Sequence, residues 1–392
     1  MIFMNWDKLR GIRDIKNLSF IGLSNIVGNA ITALFWIYLA DILGSTSYGE
    51  ISFLMGIGSI AIAITLFGSE QAIIVYSAKK INIQPPIYII SLINSGISAI
   101  ILYLLFNNFG LSIYVIGFVL FSLSLSETIG RKLYKNYSIK YFLQKVFFII
   151  FGITLFTFIG SEGILIAYGI SMLLFVKRIY DSIRYSKIDF KILKSKSRFI
   201  INNYILDITT ASKSQIDKIL IGPLFGFSVL GNYFLALQVV SILTIIPGII
   251  TKYTLPEDAS GTPTLKLKII TAFSSVILSL IGIFLAPPLI HMFFPKYDEA
   301  LIFLPLVSVV VIPSTVSSLY ISKFIAMEKS GYVVIGYLIS FIISVIGIFT
   351  LGSIWNYEGL AITLILSSVT QSVFFILIDI FKNNSLKDFT KV

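Results

Sequence analysis

The chain has no cysteine and a single histidine among its 392 residues. The first absence excludes disulfides, iron–sulfur clusters and thiolate zinc sites, and the second excludes any metal site built on two histidines. His291 stands beside Pro287 and Pro288 at the end of an apolar run. With no partnered nucleophile near it in sequence, it reads as an interfacial residue rather than a catalytic one. Charge is scarce as well: Asp, Glu, Lys and Arg make up 12% of the chain, about half the share of a soluble domain. No GxxxxGK[ST] sequence occurs, so the chain lacks that phosphate-cradling loop and is not itself an ATP-driven pump. The letters "GIGSIA" (Gly56–Ala61) match a dinucleotide fingerprint, but they lie inside an apolar run with no strand before them. They are expected to form a helix packing face.

What fills the chain instead is apolar sequence, with a mean hydropathy of +0.93. A 19-residue window yields twelve candidate spans, and so an all-α polytopic membrane protein. The first six lie at Leu18–Ala40, Gly49–Gly68, Ile87–Asn107, Leu111–Glu127, Phe142–Ile159 and Ile164–Ile179. The second six lie at Phe199–Gly222, Asn232–Leu255, Ile269–Leu289, Ala300–Ile321, Tyr332–Leu351 and Gly359–Phe381. The first span is too long for the apolar region of a signal peptide and is expected to stay in the protein. Pro247 and Pro313 interrupt spans eight and ten, as kinks or bending points.

The net charge of +11 does not point to nucleic acid, because its distribution follows the membrane. With the N-terminus inside, 27 of the 30 Lys and Arg residues fall in the inner tails and loops, among them Lys79, Lys80, Arg131, Lys140, Lys145 and Arg178. Lys296 alone falls outside, and Lys213 and Lys218 fall in the seventh span. This matches the positive-inside rule and places both termini in the cytoplasm, with contact to anionic lipid expected at the inner face. The longest inner segment, Lys177–Arg198, lies midway along the chain. It divides an N-terminal six-helix bundle (1–180) from a C-terminal one (199–392), with residues 181–198 as a basic cytoplasmic linker.

The halves echo each other. "LGSTSYGEI" (Leu43–Ile51) follows the first span and "FGFSVLGNY" (Phe225–Tyr233) follows the seventh, each with two glycines five apart: Gly44 and Gly49, Gly226 and Gly231. Six spans per half bring both copies into the membrane in the same direction, a parallel repeat about an axis along the membrane normal. Transporters built from repeats hold substrate in a central cavity between them.

One stretch breaks the apolar pattern: "ITTASKSQIDKIL" (Ile208–Leu220), in the seventh span. A charge at mid-bilayer costs about 2.5–3.5 kcal/mol on insertion scales, so Asp207, Lys213, Asp217 and Lys218 need a reason to be there. On a helix, Asn203, Asp207, Thr210, Ser214 and Asp217 share one face, Lys213 and Asp217 are spaced to pair, and Lys218 flanks them. A face this long suits a wet cavity lining; the alternative is a buried polar network locking the halves together. Gln238, Asn25, Asn29, Glu70 and Gln71 are further candidate cavity residues, whereas Glu127 and Asp379, near the inner ends of spans, are expected to snorkel to the headgroups.

With these residues laid out, the chain resembles the bacterial polysaccharide (O-antigen type) flippases of the multidrug/oligosaccharidyl-lipid/polysaccharide exporter superfamily. The resemblance is carried by "IDKILIGPLFGFSVLGNYFLALQVVSILTIIPGIITKYTLP" (Ile216–Pro256), by "LGSTSYGEI" with "FGSEQAIIVYSAK", and by "FFPKYDEALIFLPL" and "NYEGLAITLILSS". It implies two six-helix bundles around a central cavity and transfer of an undecaprenyl-pyrophosphate-linked oligosaccharide, an O-antigen or capsular repeat unit, from the cytoplasmic to the outer leaflet. It also implies the bacterial inner membrane, a polymerase and other assembly proteins of lipopolysaccharide synthesis as partners, and no cofactor, with coupling to an H+ or Na+ gradient left open. Few basic residues lie in the spans, and Asp41 stands where relatives often carry a neutral or basic residue, so the cavity is less cationic than the family pattern implies. A cation-coupled small-molecule exporter of the same fold is the alternative, with carboxylates such as Asp207 as its ion sites. A membrane glycan polymerase or ligase would present a large outer loop bearing catalytic groups, and every outer loop expected here is short.

Overall fold

The structure, a computed structural model, describes residues 6–186, 188–259, 264–297, 299–327 and 329–389. The basic side chains of Lys8, Arg10, Arg13, Lys16, Lys187, Lys252, Lys382, Lys387 and Lys391 lie outside the described residues. What is described is helical throughout. In chain order the helices are α1 (Trp6–Leu66), α2 (Ser69–Ala78), α3 (Gln84–Phe106), α4 (Phe109–Gly130), α5 (Tyr134–Ile159) and α6 (Glu162–Leu173). They continue with α7 (Lys177–Tyr185), α8 (Lys191–Phe225), α9 (Phe227–Leu243), α10 (Ile245–Ala259) and α11 (Leu265–Phe284). The last five are α12 (Ala286–Phe293), α13 (Ala300–Ser308), α14 (Val311–Ala326), α15 (Ser330–Gly347) and α16 (Ser353–Phe389), with a π-helical stretch, Ile348–Gly352, joining the final two.

By length and composition, six stretches among the described residues can cross a membrane, and up to nine if each of three bent pairs is one span. Two of the six are folded pairs: α1 breaks at Gly44, and Ser330–Phe381 contains a break at Asn356. The bent pairs turn by 44° between α6 and α7, 50° between α9 and α10, and 45° between α13 and α14. Pro247 and Pro313 each sit in the first turn of the helix that follows a bend, where a missing N–H costs nothing. Helix α8, more polar than these stretches, runs unbroken through the "ITTASKSQIDKIL" stretch. The helices thus accommodate the twelve spans, and much of the 181–198 linker is helical, with α7 ending at Tyr185 and α8 beginning at Lys191.

The chain packs as two compact units, residues 1–35 with 57–208, and residues 36–56 with 209–392. In the first, α4 is the central helix, and it buries polar and small residues such as Gly117, Ser124, Ser126 and Thr128. A Cβ on Gly117 would collide with the Gly169 backbone, so α4 and α6 pack backbone to backbone, as expected where lipid removes the hydrophobic drive between helices. The outward side of α3 carries exposed Ile93, Ile97, Ile100, Ile101, Leu104 and Leu105, while its Ser91 and Ser95 are buried. This inverts a soluble helix and marks a lipid-facing surface. Gly58, from "GIGSIA", lies against the Tyr114 ring in this unit, and Gly56 lies against Lys218 and Ile219 of α8 in the other, as a packing face requires.

In the second unit, residues 36–56 of α1 pack among later helices. Trp36, Tyr48, Phe234 and Tyr297 form an aromatic cluster with Tyr48–Phe234 and Tyr48–Tyr297 centroids at 5.0 and 6.3 Å. The Tyr297 hydroxyl donates to the Ala40 carbonyl at 2.7 Å. Both glycine pairs meet here. Gly44 and Gly226 have φ of 75° and 100°, a region that side chains disfavour. A Cβ on Gly49 would strike the Phe227 carbonyl, and one on Gly231 would strike the Ser45 carbonyl.

Candidate functional site

Helix α8 contributes residues 191–208 to the first unit and 209–225 to the second, and its polar residues fall on both sides of that division. In the first unit, Asn203 is half-buried and donates back to the Phe199 carbonyl at 2.8 Å. Asp207, one turn on, is half-buried, and its charge acts on the Glu70 carboxyl of α2. Gly68, just before α2, approaches the α8 backbone so closely that a Cβ would collide with Ile200 and Tyr204; this holds Glu70 near α8. Gln71 is exposed and does not share that environment. A groove of about 560 Å³ opens beside these residues, lined by Ile64, Thr65, Ser98, Ile101, Ile201 and Tyr204 among others.

Asn25 and Asn29 are matched by two tyrosines one turn apart on α5. Tyr137 donates to Asn25 at 3.2 Å and Tyr141 to Asn29 at 2.6 Å, and the two rings are stacked. Beyond Tyr141 lies Lys145, which the sequence reading counted among loop cations. It is 8% exposed, and its ammonium lies 5.1 and 5.9 Å from the Tyr141 and Tyr168 ring centroids. It falls one turn inside the expected span Phe142–Ile159, and because α5 begins at Tyr134 rather than Phe142, Lys140 is carried into the helix as well. Lys145 in fact interrupts the apolar run "YFLQKVFFIIF", which was the available signal.

In the second unit, the expected pairing of Lys213 with Asp217 is not formed. Asp217 accepts instead from the Tyr233 hydroxyl at 2.9 Å and from the Lys218 backbone N–H at 2.8 Å. Its charge acts on both lysines, but their contacts are neutral. The Lys218 ammonium donates to Gln215 Oε1 at 2.8 Å and the Ser214 carbonyl at 3.3 Å, and lies 5.9 Å from the Phe234 ring. Lys213 lies 6.0 Å from the Tyr337 ring. Such ammonium–ring contacts are worth about 0.5–2 kcal/mol and leave a cation able to take up an anion. Ser214 is exposed and donates to the Ala211 carbonyl, and Gln238 is half-buried on α9.

Glu127 and Asp379 do not snorkel. Glu127 is 1% exposed and gripped by Tyr88, Arg131 and Arg178. Asp379 is bidentate to Lys323, at 2.6 and 2.7 Å. A local partner makes burial cheaper than reaching for the headgroups. Among the described residues, no group of three or more acidic, His or Cys side chains could hold a metal ion.

A search against protein families finds no match, and a search against curated protein sequences finds none. Solved structures do match. A multidrug resistance MATE family transporter of the MOP superfamily, in its inward-facing conformation, superposes with a TM-score of 0.74 at 14% identity, over 94% of this chain and 99% of that one. A MOP superfamily transporter from Pyrococcus furiosus gives 0.61 at 14%, over 95% and 96%. The lipid II flippase MurJ, in an inward closed conformation, gives 0.67 at 15%, over 91% and 86%. At such identities the likeness establishes the fold: this is a multi-pass, all-helical membrane protein folded as the MOP-superfamily transporters are.

Proposed function

We propose that the protein is a flippase that moves an undecaprenyl-pyrophosphate-linked oligosaccharide, an O-antigen or capsular repeat unit, from the cytoplasmic to the outer leaflet by alternating access. The observation that carries this reading is that Lys213, Lys218 and Lys145 all lie within helices of span length with neutral partners. Half-buried and buried cations without a dedicated carboxylate suit an anionic cargo, which completes their pairing when it binds. The groove beside α8, largely apolar with Thr65, Ser98 and Tyr204 along it, suits a polyprenyl chain whose head reaches polar residues one turn away. The two repeat halves, 1–180 and 199–392, rock about a central cavity in this reading, with both termini cytoplasmic in a bacterial inner membrane and a glycan polymerase acting on the product.

One observation favours the second reading, a cation-coupled small-molecule exporter. The charge of Asp207 on α8 acts on the Glu70 carboxyl of α2, and two carboxyls this close in the field of one another suit a proton- or cation-coupling site. The pair also serves a flippase, as the site of H+ or Na+ coupling. Reconstitution decides between the readings. In proteoliposomes, a defined lipid-linked glycan should become accessible to an added glycosidase only when the protein is present. Failure to expose the glycan, together with ion-gradient-driven export of a small dye, would give the function to the exporter.

A further inference from the structure

A second charged site lies in the first unit, away from α8, around the buried Glu127. That carboxylate accepts from Tyr88 at 2.9 Å and from Arg178 at 3.0 and 3.2 Å, and it is ion-paired with Arg131 at 2.7 Å. So engaged, it fixes both guanidiniums and is largely committed to them. Two cavities, of about 490 and 610 Å³, share Arg131, Leu133 and Arg178 as walls. The first adds Lys140 and Lys177, against which only Glu127 and Asp181 count; the second adds Lys80 and Lys132 and no acid. Lys140 rests on the hydroxyls of Ser124 and Thr128, at 2.8 and 3.5 Å.

The backbone adds an independent sign. Lys80 and Lys132 follow α2 and α4 at matching helix ends, with φ of 58° and 59°, a left-handed position where glycine or asparagine is the economical residue. Each is fixed by the capping bonds that follow it, Ile81 N–H to the Tyr76 carbonyl and Leu133 N–H to the Thr128 carbonyl. Both helix ends thus keep a lysine where glycine would relax the turn, and both lysines line the same cavity. The surroundings are those of a membrane boundary: Leu133 and Leu174 wall the first cavity and are 39% and 49% exposed. Beside it, α7 buries Ile179 and exposes Tyr180 and Tyr185, whose rings flank Arg184.

We propose that this paired cavity binds the phosphoryl headgroup of an anionic phospholipid, with its acyl chains against Leu133 and Leu174. Guanidiniums held in place by a buried carboxylate present a fixed fork to phosphate, and the lysines supply mobile point charges around it. Basic pockets between helices on the cytoplasmic side are suited to such headgroups, and the charge distribution puts these helix ends on that side. Free phosphate shares the chemistry but gains nothing from the apolar wall.

The test uses the purified full chain in detergent, with binding read by native mass spectrometry and thermal unfolding. Phosphatidylglycerol or cardiolipin should bind and raise the melting temperature, and phosphatidylcholine should not. The variant Lys80→Gly, Lys132→Gly, Lys177→Gln should fold at least as stably as the parent, because glycine relieves both left-handed turns, yet bind the anionic lipid at least about tenfold more weakly. A variant with the same charge loss elsewhere, Lys191→Gln, Lys194→Gln, Arg198→Gln, should bind as the parent does. Equal loss in both variants, no loss in the first, or equal binding of the zwitterionic lipid overturns the site. Inorganic phosphate competing as tightly as the lipid overturns the lipid as its source.

Discussion

Gly49 and Gly231 occupy equivalent places in the two repeats, and each lies on the backbone of the other repeat's turn. Gly49 lies against Phe227, the residue after Gly226, and Gly231 lies against Ser45, the residue after Gly44. The contact is reciprocal, as a two-fold relation between the copies requires. Because carbonyl oxygens are the obstacles, no side-chain rearrangement makes room for a methyl group. Gly49→Ala and Gly231→Ala should each destabilise the packed form by about 1–3 kcal/mol, read as a lowered melting temperature of the purified protein. Gly22→Ala, with open space around it, serves as the control. Equal melting of all three variants would dismiss the close approach.

Ser45 and Ser228 flank the same contact, their hydroxyl oxygens 2.8 Å apart. Because the chain has no cysteine, a Ser45→Cys, Ser228→Cys pair can be oxidised without a competing thiol, and the side chains are close enough for a disulfide. Alternating access requires the repeats to part somewhere, and this is where we expect them to part. Oxidation should stop glycan transfer at unchanged protein abundance, and a reductant should restore it. Full transfer by the oxidised, verified disulfide form would place the moving contact elsewhere.

The topology is tested by labelling single cysteines in intact cells. The 27-to-1 partition of inner and outer basic residues predicts that Ser161→Cys and Lys296→Cys react with an impermeant reagent from outside, while Lys135→Cys and Lys191→Cys do not. Reaction at position 191 would reverse every span after α7.

Where the sequence was legible, residue identity was dictated by backbone or by solvent. Gly44 and Gly226 could be placed in equivalent turns because a left-handed φ selects glycine. The spans could be found because lipid excludes charge. Partner choice was not legible. Asp217 is spaced to reach Lys213, but it accepts from Tyr233, sixteen residues away on another helix. Glu127 was expected at the headgroups because Arg178, 51 residues on, cannot be foreseen as its partner. Lys140 was assigned to a loop because hydropathy placed the start of α5 eight residues too late, and Lys145 was counted with it although it sits one turn inside the expected span Phe142–Ile159.

Lys213 and Lys218 give the most direct test of the anionic cargo. Their present partners are a ring, an amide and a carbonyl, all of which an ammonium exchanges readily for phosphate oxygens. Lys213→Ala and Lys218→Ala should each sharply reduce glycan transfer at normal protein abundance, since each variant removes a half-buried charge and strands no carboxylate: Asp217 keeps the hydroxyl of Tyr233. Asp217→Asn should behave in the opposite way. The amide still accepts from Tyr233, but the charge acting on both lysines is gone, and two uncompensated ammoniums within a span should lower abundance. Tyr233→Phe separates the two contributions. It keeps the aspartate charge and loses one hydrogen bond, worth about 1 kcal/mol, so its abundance should fall less than that of Asp217→Asn. If both alanine variants transfer glycan at the parental rate, these lysines only support the fold, and the anion site must lie with Lys145 in the other unit.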